Sequence, residues 1–209
     1  HDHPAHVGPI GILGSTSANA LAAEADVVLL GRSDAPGAAG DAEAAEMLRH
    51  FEAAGASFAA QAADAEEAEA LFAARRLAYP ALERLGPVLT EDVCVPRAAV
   101  PEMLGRIQEI GRRHGTTIAN IAHAGDGNLH PLLITPIGDE PARRRAQEAF
   151  EEILTDALAL GGTVTGEHGV GLLKRHGLER EQAPEVLAMQ RAVKAALDPH
   201  GILNPGKVV

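Results

Sequence analysis

The chain has 209 residues, a formal net charge of −11 and a pI near 5.3, an acidic balance that argues against a nucleic-acid or anionic-membrane partner. That length suffices for one substantial core or two small ones, and no run approaches the roughly 18 consecutive apolar residues of a membrane span. With no Trp, one Tyr and four Phe, the core falls to alanine, leucine and valine, and the inventory argues against a base-stacking or aromatic-cage surface.

The opening HDHPAHVGPIGILG has neither the basic leader nor the long apolar core of a signal peptide. Residues 1–25 read as a lead-in segment: a short apolar stretch, a Gly-Ser-Thr-Ser break, then a helix-like Ala/Leu run. Gly8, Gly11 and Gly14 recur every three residues and do not open a helix, so they read as loop and not as a phosphate cradle. The β-branched run DVVLLGR, Asp26 to Arg32, predicts a buried strand. Pro36, Gly37 and Gly40 mark a loop from Ser33 to Gly40. Asp41 is the expected cap of a helix to about Ala54, stopped by Gly55. Ala56 to Gln61 reads as a strand. Asp64 caps a second helix with Glu66 and Glu67 at its positive end, running past Arg75 and Arg76 until Pro80 breaks it.

Pro87 to Val95 reads as a strand closed by Pro96. It holds the single cysteine, Cys94, which reads as a buried structural thiol and, being unable to pair internally, fits a reducing compartment. Val100 to His114 forms an amphipathic pattern, with Leu104, Ile107 and Ile110 at helical spacing and Gly115 as its stop. Two strands follow, Thr116 to His123 and Leu129 to Thr135. Pro141 opens a long helix through Leu160, ended by Gly161-Gly162. Another helix spans about Pro184 to Leu197 before the terminal DPHGILNPGKVV. The element order and the hairpin predict an α+β domain over 26–209: an antiparallel sheet with helices on one side, ferredoxin-like, with a helical C-terminal tail. A parallel doubly wound sheet is the alternative, but a hairpin at Asp126-Gly127 argues against it.

The chemistry concentrates in HAGDGNLH, His123 to His130, and GEHGVG, Gly166 to Gly171. A two-residue type I′ turn at Asp126-Gly127 sets His123 opposite His130, with Cβ atoms roughly 4.5–5.5 Å apart, a spacing suited to chelating one metal ion. Catalytic zinc sites commonly use three protein ligands, and Glu167 is the candidate third. His168 follows at once, and both residues can face one site only if the glycines allow a tight turn or a helix starts there. His168 then stays off the metal as a general base. Asp126 and Asn128 are turn formers, and Asn128 is also a candidate donor to a substrate oxygen. Arg75 and Arg76 default to exposed helix positions, although an inward guanidinium fork matches a carboxylate. Lys174 and Arg175, next to the site, default to the surface, with attraction of anions as the alternative. Zinc is the first expectation from an N/N/O set, with manganese or iron as alternatives.

Four stretches, in order, carry a family resemblance: LFAARRLAYPAL, the TEDVCVPRAAVPEML after it, HAGDGNLHP, and GTVTGEHGVGLLK with the closing DPHGILNPGKVV. Together they resemble the C-terminal domain of FAD-linked oxidases of the vanillyl-alcohol-oxidase type. The nearest branch holds the glycolate oxidase flavoprotein subunit, D-lactate dehydrogenase and D-2-hydroxyglutarate dehydrogenase. The resemblance implies a FAD-dependent dehydrogenase or oxidase of 2-hydroxy acids, in which a separate N-terminal domain, absent from this sequence, holds most of the FAD. It implies His123, His130 and Glu167 as metal ligands, His168 as base, Arg75 on the substrate carboxylate, and Asn204 beside the flavin. Thr90 stands where some dicarboxylate-oxidising relatives carry lysine, which weakens a second-carboxylate reading. The partners implied are the substrate, the FAD-binding domain, and either a second copy or an electron-acceptor subunit. The implied location is the cytoplasm, peripheral to a membrane only through a partner. The rival is a non-enzymatic metal-binding or interaction domain sharing the fold.

Overall fold

A computed structural model describes residues 9–11 and 27–208. The chain divides into two compact units, His1–Ala81 and Leu82–Val209. In the first, β1 (Pro9–Gly11) pairs antiparallel with β2 (Leu30–Arg32), and α1 (Ala38–Ala53) and α2 (Ala65–Arg76) pack against β1. A short α3 (Ala78–Glu83) runs across the division. The expected cap at Asp64 forms, its Oδ1 accepting the Glu67 N–H at 2.9 Å. Gly55 has φ +84°, the left-handed conformation that ends a helix.

Four expectations for this unit need correction. Helix α1 begins three residues before Asp41, after Gly37 with φ +57°, so Asp41 sits in its first turn as a charge favourable to the helix end, not as its cap. Ala56 to Gln61 forms no strand, apart from an isolated bridge at Gln61. Helix α2 ends at Arg76, ahead of Pro80, which lies in the first turn of α3 where its missing N–H costs nothing. Of the strand expected over Asp26–Arg32, the described residues 27–32 are strand only in the last three, Leu30–Arg32. The Ala/Leu run near the N-terminus lies outside the described residues.

The second unit is an α+β domain. Its elements are β3 (Val88–Thr90), β4 (Val93–Cys94), α4 (Val100–His114), β5 (Thr117–His123), β6 (Asn128–Ile134), α5 (Glu140–Ala159), α6 (Arg175–Glu181) and α7 (Pro184–Leu197). β6 is central, with β5 antiparallel on one side and β3 and β4 antiparallel on the other. Thr163, after α5, bridges antiparallel to Cys94. The path β4–α4–β5–β6–α5–Thr163 therefore reproduces the ferredoxin-like order, its last strand reduced to one bridge.

β3 and β4 are one strand in register, since Val88 faces Ile134 and Val93 faces Leu129 along the same diagonal of β6. The same register sets Glu91 opposite Pro131 and Asp92 opposite His130. The ladder on this side uses odd residues of β6 and its continuation: Thr135 N–H donates to Pro87 O at 3.0 Å, and Gly127 O accepts from Val95 N–H at 3.1 Å. Pro131 has no N–H to offer Glu91, and the strand breaks there.

Alternation along β6 sends Leu129 and Leu133 into the core beneath α4 and α5. Met103, Ile107 and Ile110 of α4 meet Ala149, Phe150, Ile153 and Leu154 of α5 there, all nearly or fully buried. Each buried Ile, Leu or Phe contributes roughly 1.5–3 kcal/mol. Gly115, with φ +58°, ends α4 where expected, and α5 starts on an Asp139 cap whose Oδ1 accepts the Ala142 N–H at 2.9 Å. Asn128, His130 and Leu132 point to the opposite face and are buried as well.

A candidate metal centre and the loop that completes it

The β5–β6 hairpin has a four-residue connection, Ala124 to Gly127, and pairs His123 with Asn128 and Ile121 with His130. The expected two-residue turn, with His123 directly opposite His130, does not form. Asp126 spends its carboxylate on the turn instead, Oδ1 accepting the Asn128 N–H at 3.0 Å, and Gly127 takes φ +84°. The register is shifted by two residues, and a shift of two preserves the face. His123 and His130 thus become diagonal neighbours on one side of the sheet, ring centroids 5.4 Å apart and nearly perpendicular.

Glu167 arrives from the GEHGVG segment. Its Oε1 lies 3.1 Å from His130 Nε2 and 3.7 Å from His123 Nε2. One donor atom from each of the three residues falls within 4.8 Å of the others. A tetrahedral ion with bonds of 2.0–2.2 Å sets its donors ~3.4 Å apart, so the set fits a small divalent cation after slight contraction. His130 is 9% exposed, whereas His123 and Glu167 are 44% and 51% exposed, giving a closed floor and an open rim. Burial, and then the neighbouring His168, hold the His130 imidazole below the usual histidine value. That keeps it neutral, the form that ligates a metal.

His168 stays outside that donor group, its ring 4.9 Å from the His130 ring and its Nε2 3.7 Å from Glu167 Oε1. Consecutive residues both reach the site because residues 166–168 bend around a single carboxylate. Asp92 Oδ2 accepts the N–H groups of Gly166 at 2.6 Å, Glu167 at 2.6 Å and His168 at 3.1 Å. The Thr165 hydroxyl donates to Asp92 Oδ1 at 3.2 Å and accepts the Gly169 N–H at 2.9 Å. Gly166 leaves room for Asn128, since a Cβ there would overlap the Asn128 side chain and force it to shift. Asn128 is buried, and its Oδ1 has no hydrogen-bond partner among the described residues.

Lys174 overturns the surface expectation. It is 1% exposed, pairs with the Asp92 carboxylate, donates to the Asp92 carbonyl at 2.9 Å, and lies 3.5 Å from Glu91. Burial alone would raise the Asp92 carboxyl, but the Lys174 hydrogen bond and the Glu167 and His168 N–H groups outweigh it and hold the carboxyl far below the usual aspartate range. Glu91 behaves oppositely: burial pushes its carboxyl up against the pull of Lys174. Little in the local sequence marks Asp92, and nothing there marks Lys174 as buried. The only signal was an acidic pair, Glu91-Asp92, inside an otherwise apolar strand.

Cys94 is partly exposed, not buried, with Sγ 3.5 Å from the Asp126 carbonyl, and burial followed by Asp126 raises its thiol. Arg75 stands exposed in the last turn of α2, in the first unit, and Arg76 pairs with Glu69 at 2.5 Å. Asn204 is exposed with φ +45° in the closing segment. That segment returns toward the GEHGVG loop: Arg175 donates to Gly206 O at 2.9 Å, and the Val208 N–H to Gly171 O at 3.0 Å.

Residues 6–208 match the family model described as FAD linked oxidases, C-terminal domain, and the chain belongs to that family. Over 144 residues it is 46% identical to the glycolate oxidase subunit GlcD of Bacillus subtilis (strain 168), a match covering 68% of this chain and 31% of that protein. Identity to GlcD of Escherichia coli (strain K12) is 37% over 155 residues, 74% of this chain and 31% of that protein. A D-lactate dehydrogenase of Archaeoglobus fulgidus is 35% identical over 167 residues, 80% of this chain and 37% of its own length. The chain spans about a third of the length of these curated relatives.

Proposed function

We propose that this chain is the substrate-binding and cap domain of a FAD-dependent oxidoreductase of 2-hydroxy acids such as glycolate or D-lactate. The observation that carries the reading is the convergence of His123, His130 and Glu167 on one face of the sheet, with His168 beside them. The names of the relatives supply the substrate class.

His123, His130 and Glu167 would hold a divalent ion, zinc by the N/N/O donor set, with manganese or iron as alternatives. When bound, such an ion supplies Lewis acidity toward the carboxylate and hydroxyl oxygens of the substrate. Oxidation to a 2-oxo acid removes a proton from the hydroxyl and a hydride from the α-carbon. His168, partly exposed at the rim, receives the proton. Asn128, buried against Gly166, is the candidate donor to a substrate oxygen through its amide N–H. By the family resemblance alone, Arg75 would offer its guanidinium fork to the substrate carboxylate and Asn204 would belong to the flavin-binding residues. FAD, held mainly by a separate domain of the parent protein, supplies the hydride acceptor. Alone, the chain binds metal and turns nothing over. In the cell we place the parent in the cytoplasm, reaching a membrane only through a partner such as an electron-acceptor subunit. No helix among the described residues is long and apolar enough to cross one.

The test is anaerobic bleaching of the flavin by glycolate and D-lactate in the full-length parent. His168→Ala is expected to slow bleaching about 10²–10⁴-fold, the range for loss of a general base. Bleaching at the unaltered rate removes His168 from the role, and bleaching by no 2-hydroxy acid removes the reaction class.

A further inference from the structure

We infer that the buried Asp92–Lys174 pair is the positioning element of the candidate centre, the part that fixes where Glu167 and His168 stand. The inference rests on the metal-binding reading above and names residues to which that reading gives no part.

Three observations converge on it. Asp92 is fully buried, yet its carboxylate receives three consecutive backbone N–H groups from the segment bearing Glu167 and His168. Through them one side chain fixes the direction of both functional residues, which an extended strand would turn to opposite faces. Asp92 also occupies the position opposite His130, beside the break that Pro131 imposes. The strand paired beside one candidate ligand thus sets the loop that delivers another, and relative placement follows from strand register. Lys174 closes the arrangement: buried, it binds both the carboxylate and the carbonyl of Asp92, so that side chain is held at two points. An aspartate held only by loop N–H groups could move with the loop. Anchored by Lys174 and by its own strand, it makes the loop conform to the sheet.

Outer groups that orient a metal's ligands typically change metal affinity 10–100-fold when altered. The experiment uses the full chain with Co²⁺ alone as probe, following affinity, the visible absorption band, and amide hydrogen exchange at Gly166 to Gly169. Circular dichroism fixes a temperature at which each variant is folded. Asp92→Asn is expected to weaken Co²⁺ binding about 10–100-fold, alter the absorption band and speed exchange at Gly166, Glu167 and His168. A purely structural role would lower the melting temperature and leave the affinity and spectrum of the folded protein unchanged, and that result overturns the inference. Where Asp92→Asn does not fold, Thr165→Val decides, because it removes only the hydroxyl that joins Asp92 to Gly169. It is expected to weaken Co²⁺ severalfold and to speed exchange at Gly169, and affinity within two-fold with unchanged exchange contradicts the inference. If the unaltered chain binds no Co²⁺, the metal reading fails. Exchange at Gly166 to His168 in the variants then still decides the positioning role, faster exchange supporting it and unchanged exchange overturning it.

Discussion

At the scale of single residues, one candidate pair survived a wrong register. Spacing set His123 opposite His130, whereas the hairpin pairs His123 with Asn128. The two imidazoles still share a face because the error was two residues; a slip of one would have parted them. The cause of the shift is Asp126, whose carboxylate closes the turn onto the Asn128 N–H and lengthens the connection to four residues. Gly127 is the residue that this turn cannot replace. It combines φ +84° with a backbone approach so close that a Cβ would overlap the Val95 carbonyl oxygen. Gly127→Ala is therefore expected to destabilise the chain by about 2–5 kcal/mol, strain and overpacking together. Urea denaturation measures it, and an unchanged midpoint would contradict the turn geometry. Lys174 was illegible for a different reason. An isolated lysine is exposed by default, and its partner stands 82 residues earlier in the chain.

At the scale of elements, legibility followed local signals. Helix α4, with a periodic apolar face and a glycine stop, and α7, with a proline start, appear with the bounds that the sequence indicated. The stretch Ala56 to Gln61, apolar but without a partner strand read from any pattern, failed as a strand because β structure depends on what it pairs with. The break between β3 and β4 was hidden because its cause, Pro131, lies in the facing strand. The closing segment shows how one carboxylate can hold an element end. Asp198, following α7, pairs with Lys194 and accepts the N–H groups of Ile202 at 3.0 Å and Leu203 at 2.9 Å. The hydrogen bond from Lys194 leads the effects that hold its carboxyl below the usual value, against burial. A depressed carboxyl stabilises the folded form above the unfolded aspartate value of about 3.9 and loses that contribution as pH falls through its own lower value. Amide exchange at Ile202 and Leu203 should thus be slow at pH 5–7 and lose protection below about pH 4, after correction for the intrinsic rate. Asp198→Asn should remove this pH dependence, whereas a persisting acid transition in that variant would assign it to another group.

At the scale of the molecule, the chain carries a constellation of candidate ligands and a candidate base but spans about a third of the length of its curated relatives. The motifs HAGDGNLH and GEHGVG were readable as one site because each brings dense glycine to imidazole and carboxylate groups. The scaffold that joins them was not, since it depends on a buried ion pair and a strand register that only folding assembles. The most direct measurement is metal content of the purified full chain after exposure to Zn²⁺ and exhaustive dialysis, beside the His123→Ala and His130→Ala variants. One equivalent in the unaltered chain and a substoichiometric content in both variants is the expected result. Equal metal content in all three would contradict the assignment of the centre.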